Sequence, residues 1–172
     1  MRPINRIIVH RSQLEYGNFD TMHRIHVIEN YWSYVGYEEL IYNGYPTWKS
    51  YVRHKPDVAS DGLRVKGRPY EIGGAHTIDW SEDHKVITNY NHDSIGVCLM
   101  GMDSFTSAQL ITLRTIVREL RAIHGNIPVY GHDELLTVNP ENKVCPNIDM
   151  DHLREFLDAP NPETFIGPPA PE

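Results

Sequence analysis

Arg6-Ile7-Ile8-Val9-His10 is the stretch that decides the architecture. A continuous apolar, β-branched run bounded by polar residues marks a strand covered on both faces, as in a parallel or mixed sheet, and this one ends on a histidine. Ser94-Ile95-Gly96-Val97-Cys98-Leu99-Met100-Gly101 has the same character. Two shorter runs join them: Leu40-Ile41-Tyr42, after Gly36-Tyr37, and Ile127-Pro128-Val129-Tyr130, which leads into Gly131-His132. The helices are read from caps and periodicity. Thr106-Ser107-Ala108-Gln109 is a capping box, and the apolar positions Leu110, Leu113, Ile116, Val117, Leu120 and Ile123 follow it until Gly125 stops the helix. Met22, Ile25, Ile28 and Trp32 recur at spacings of three to four, which predicts a helix over 20–34 capped by Asp20 or Thr21. Asp149 to Leu157 predicts a brief final helix. Asn43-Gly44-Tyr45-Pro46 is turn chemistry. Residues 47–69 show no firm period and read as an irregular insertion. Gly73-Gly74 favours close backbone approach over regular structure. The expectation is an α/β fold, a central mixed β-sheet flanked by helices, in a single domain over residues 1–158. A Pro-rich tail, 159–172, is expected to be poorly ordered.

Bulk properties narrow the function. A chain of 172 residues, 40% of them hydrophobic, can bury a core without disulfides. A formal charge of −7 with no Lys/Arg-rich run argues against a nucleic-acid partner, because that binding rests on neutralising phosphates. No apolar stretch has the length of a membrane span. The run Ile7-Ile8-Val9 is too short for the apolar centre of a signal peptide, so synthesis in the cytoplasm without an export signal is expected, as a monomer. The two cysteines sit in dissimilar surroundings. Cys98 lies in an apolar run and reads as core; Cys145 precedes a proline in a polar stretch.

Ten histidines invite metal readings, and most are better left as surface or satisfied interior residues, His26 and His124 among them. His10 and His132 differ because each ends a β-branched run, where an open sheet displays side chains into a crevice. Catalytic zinc takes three protein ligands and leaves a position for water, a count that His10, His132 and Cys145 would satisfy. In extended chain, residues two apart share a side, so Lys143 and Cys145 would address one place, and the amine would favour the thiolate. The interval of thirteen between His132 and Cys145 matches no compact structural-zinc pattern, and on spacing alone the residues stay open to being unrelated. There is no His-Glu-x-x-His, Cys-x-x-Cys, Gly-x-Ser-x-Gly or Gly-Lys-Ser/Thr phosphate loop.

Several segments taken in order resemble the N-acetylmuramoyl-L-alanine amidases of the phage-lysozyme type, whose fold the peptidoglycan recognition proteins share. They are Ile7-Ile8-Val9-His10; Ile25-His26 with Trp32 and Val35-Gly36-Tyr37; Gly74-Ala75-His76; Asn91-His92-Asp93-Ser94-Ile95-Gly96-Val97-Cys98-Leu99; the helix from Thr106 to Gly125; Gly131-His132-Asp133; and Lys143-Val144-Cys145-Pro146. The resemblance covers most of residues 4 to 157. It implies one Zn2+ held by His10, His132 and Cys145 in a groove beside the sheet, with Tyr37 and Lys143 assisting catalysis. Glu38-Glu39 stands where the family usually has a histidine and an aromatic, and Asp133-Glu134 where Arg-Asp is usual.

The implied substrate is peptidoglycan or a muropeptide, cut at the lactyl amide between muramic acid and L-alanine, as a phage endolysin does once released to the cell wall. The same fold also serves cytosolic recycling of muropeptides, peptidoglycan binding without cleavage, and regulation through a protein partner. The residues themselves leave Tyr37 open to plain packing on the sheet and Lys143 to plain solvation. His76, after two glycines, is open to lining the groove as a substrate contact or to a structural role.

Overall fold

The computed structural model describes residues 2–139 and 144–160. Its centre is a five-stranded sheet built from β1 (Arg6–Arg11), β2 (Glu39–Asn43), β3 (Asp61–Lys66), β6 (Ser94–Leu99) and β7 (Val129–Gly131), in the order β3-β2-β6-β1-β7. β1 runs parallel to β6 and β7, and β2 parallel to β6, while β3 is an antiparallel edge on β2. β1, β2 and β6 are buried along almost their whole length, which explains why their sequences are apolar runs rather than alternating ones.

Alternation along each strand divides the molecule into two layers. Ile7, Val9, Ile41, Ile95, Val97 and Val129 point to one face, where α3 (Ser107–His124) and α4 (Met150–Asp158) cover them. α3 lays Leu110, Leu113, Ile116, Val117 and Leu120 on that face as its periodicity predicts, while Ile123, expected to continue the stripe, is 70% exposed. Full burial of each such side chain stabilises by about 1.5–3 kcal/mol, and Leu113→Ala would cost about 2–5 kcal/mol. The capping box also ties the helix to the sheet. Gln109 accepts the Thr106 N–H, while its own amide donates to the carbonyls of Ile41, within β2, and Met100, just past β6.

Leu40, Tyr42, Cys98 and Met100 face the other way and pack against Met22 and Val35. His10 projects to this second face too, being the neighbour of Val9 on β1. The thinner cover on this side leaves room for a site.

Two expectations need correction. The helix expected over 20–34 is α1 (Phe19–His23), capped by Asn18, followed by i→i+5 turns over Arg24–Glu29 that close on an Asn30 N–H to Ile25 carbonyl bond of 3.0 Å. Ile28 and Trp32 supply the apparent period but are 59% and 39% exposed, so no buried face carries the helix further. The insertion is not irregular throughout. It holds the short α2 (Trp48–Val52) and the edge strand β3, whose half-exposed pattern gives little periodic signal. A hairpin of β4 (Ile78–Trp80) and β5 (Val86–Asn89) was not anticipated, for the same reason. Most of the expected tail, 161–172, lies outside the described residues. Among the described residues no helix is long and apolar enough to cross a membrane.

Candidate metal centre

Parallel pairing of β1 with β7 aligns Val9 with Gly131, so the next residue of each chain, His10 and His132, emerges at the carboxyl end of neighbouring strands. The His132 N–H continues the ladder to the Val9 carbonyl at 3.2 Å, and the two imidazole centroids lie 4.7 Å apart. Cys145 arrives from a distant segment and is held by Asp133. The Asp133 N–H donates to the Cys145 carbonyl at 3.1 Å, and the Cys145 N–H donates to Asp133 Oδ2 at 3.2 Å. One nitrogen from each histidine and the Cys145 sulfur all lie within 4.8 Å of one another.

Burial sets the protonation of this cluster. It pushes the His10 pKa well below 6.5, helped by the neighbouring His76 and His132, so His10 is neutral at physiological pH. Burial also pushes the Cys145 thiol up to about 11, against the opposing backbone N–H and charge of Arg11. A cation entering the cluster would therefore displace a proton from sulfur, and metal affinity would fall with acidity.

The chemistry of the donor set fits zinc. Two imidazoles and one thiolate make a three-ligand set of the kind that leaves a fourth position open. The Nδ1 of His10 faces the Cys145 Sγ across 3.9 Å, while its Nε2 lies 3.0 Å from His76 Nδ1 and 3.3 Å from Thr77 Oγ1. A metal-binding histidine typically has its second nitrogen engaged in this way.

Tyr37 closes one side, its ring 5.0 Å from that of His10. Burial, together with the nearby Cys98 and Cys145 thiols, raises its phenol well above the usual 10, so it stays protonated and keeps an O–H to donate. His76, expected in the groove, has a side chain with 0% exposure, turned toward His10. Lys143 lies outside the described residues. An open cavity of about 350 Å³ is bordered by Ser12, Leu14, Met22, His26 and Tyr37.

Residues the sequence reading passed over also build the site. His26 accepts the Gly36 N–H at 3.0 Å, fixing the turn that presents Tyr37. Asn91 Oδ1 accepts the N–H groups of His76 and Thr77 at 2.8 and 3.0 Å and so holds that loop under His10. No local pattern marks such contacts, since each joins segments ten or more positions apart.

A sequence model of the N-acetylmuramoyl-L-alanine amidases matches residues 1–148. The chain belongs to that family. The endolysin of Escherichia phage T7 is 31% identical over 101 residues, 54% of this chain and 57% of the relative. The chain thus spans a little over half the length of that curated relative. Among solved structures, the amidase LysC from Clostridium intestinale URNW superposes with a TM-score of 0.67 at 18% identity, over 92% of this chain and 87% of that one. Bumblebee PGRP-SA gives a TM-score of 0.63 at 20% identity, over 94% and 87%. At such identities the two structures establish the fold alone, and the family membership rests on the sequence match.

Proposed function

We propose that this family member is a zinc hydrolase that cleaves the amide between N-acetylmuramoyl groups and L-alanine in peptidoglycan, in the manner of a phage endolysin. The observation that carries the reading is the convergence of His10, His132 and Cys145 donor atoms within 4.8 Å at the ends of two parallel strands. Zinc held there supplies a Lewis acid for the carbonyl oxygen and lowers the pKa of water to about 7.

The rest falls to the protein. Water adds to the lactyl carbonyl carbon, the C–N bond breaks, and the amine of L-alanine leaves after gaining a proton, with a carboxylate remaining on the sugar side. Negative charge grows on the carbonyl oxygen during addition, and a protonated Tyr37 is suited to donate to it. Lys143, two positions before Cys145, is assigned to offset the same charge. The cavity beside Tyr37 offers the stem peptide a place to lie.

Mass analysis of digested cell wall tests the proposal. Free stem peptides with intact glycan strands are expected, together with about one zinc per chain in the purified protein and loss of both metal and activity in Cys145→Ala. Cleaved glycosidic bonds, or full activity in a metal-free Cys145→Ala, would overturn it.

A further inference from the structure

The side chains that touch His10 from behind are packed as closely as the metal cluster itself. Glu38, just before β2, is fully buried, and its carboxylate is gripped from behind: Arg2 donates to Oε1 at 2.6 Å and the Gly96 N–H donates to Oε2 at 2.8 Å. Arg2 is itself fixed by the carbonyls of Tyr70, Asn91 and Ser94, at 2.7, 2.9 and 2.7 Å. The His76 ring lies between this carboxylate and His10. Its Nε2 is 3.4 Å from Glu38 Oε2 and its Nδ1 is 3.0 Å from His10 Nε2.

Two glycines make the slot for that ring. A Cβ on Gly74 would sit 2.2 Å from His76 Cδ2, and one on Gly96 would sit 2.5 Å from the same atom. The His76 Nε2 is shielded from solvent and has no well-formed hydrogen bond, so the carboxylate oxygen is the acceptor nearest at hand in the structure. An imidazole wedged in this way has two choices of tautomer. With its proton on Nε2 it presents N–H to a carboxylate; with the proton on Nδ1 it presents a lone pair to negative charge, which is repulsive in a buried site.

We infer that Glu38 and His76 are positioning residues that hold His10 with its proton on Nε2 and its Nδ1 lone pair open toward Cys145. The carboxylate holds the His76 proton on Nε2, and His76 Nδ1 must then accept. It accepts the Nε2 proton of His10, with Thr77 Oγ1 as an additional partner. Reversal of the chain would put a proton on His10 Nδ1, between that nitrogen and any ion shared with Cys145. The assignment rests on the metal-site reading for its purpose, though not for the proton positions themselves.

Two variants separate the parts: Glu38→Gln removes the charge with little change of shape, and His76→Phe keeps a ring in the glycine slot without its nitrogens. Histidine 15N NMR of the metal-free wild type is expected to show His10 protonated on Nε2, and each folded variant to show that proton spread over both nitrogens. Competition with a chromogenic chelator is expected to show Zn2+ bound about 10–100-fold more weakly by the variants, at unchanged secondary structure. A wild-type His10 protonated on Nδ1 overturns the inference, as does wild-type zinc affinity in the variants. If the wild type binds no zinc, the functional proposal falls, and the tautomer measured without metal still decides this one.

Discussion

Asp133 and Cys145 clasp each other: the Asp133 N–H donates to the Cys145 carbonyl at 3.1 Å, and the Asp133 carboxylate accepts the Cys145 N–H at 3.2 Å. Asp133 also follows His132 directly, so one residue couples two members of the cluster. Removal of its carboxylate leaves a partly buried N–H unpaired and loosens the thiol without touching the donor atoms. Asp133→Ala is expected to weaken zinc binding about 10–100-fold in chelator competition, while the chain stays folded. Unchanged affinity would show that the clasp does not hold Cys145 in place.

Tyr37 and Lys143 are assigned to the reacting carbonyl rather than to the ion. Tyr37→Phe keeps the ring against His10 and removes only the hydroxyl. Lys143→Ala removes the amine together with its methylene stem. Each variant is expected to retain about one zinc by elemental analysis and to lose about a hundredfold or more in kcat on muropeptides. A variant with full turnover removes that residue from the mechanism.

The legible parts of the fold are those whose burial is complete. Ile7-Ile8-Val9 and Ile95 to Leu99 are covered on both faces, so their composition alone marks them as inner strands, and Thr106 with Gln109 announces α3 before any packing is known. β3 and the β4–β5 hairpin carry half-exposed residues and blur into loop composition. Ile28 and Trp32 mislead because periodicity records spacing and not whether a partner surface exists. The site divides in the same way. His10 and His132 stand out by ending strands, whereas Glu38, Asn91 and His26 act through contacts that only the folded chain creates.

His26 gives the fold a dependence on pH that does not involve the metal. Its Nδ1 accepts the Gly36 N–H, its ring stacks on Trp32 at 4.8 Å, and burial, followed by the charge of Arg68, lowers its pKa from 6.5. The unfolded chain therefore takes up a proton near pH 6.5 that the folded chain refuses until lower pH. More protons on the unfolded state mean stability lost as pH falls below about 6.5 and fully present above it. Urea unfolding across pH 5–8 is expected to show this loss, and His26→Gln to flatten that part of the curve. An identical slope in the variant would assign the dependence to other groups.

Gly96 tests how tightly the His76 ring is held behind His10. Its carbonyl and N–H stay in use in any substitution, since the N–H donates to Glu38 Oε2 and the carbonyl accepts the Glu38 N–H at 3.1 Å. An alanine Cβ would meet His76 Cδ2, Nε2 and Cγ at 2.5, 2.7 and 2.8 Å, so the whole ring must move rather than a flexible tip. The ring has little freedom, being pinned between Gly74 and His10. Gly96→Ala is expected to cost about 1–3 kcal/mol of stability, the usual range for overpacking a filled interior, and to weaken zinc binding because His76 can no longer meet His10. A matching loss of stability in the zinc-free protein, measured by urea unfolding with chelator present, separates the packing cost from the metal. Wild-type stability would mean that the slot has more room than these contacts allow.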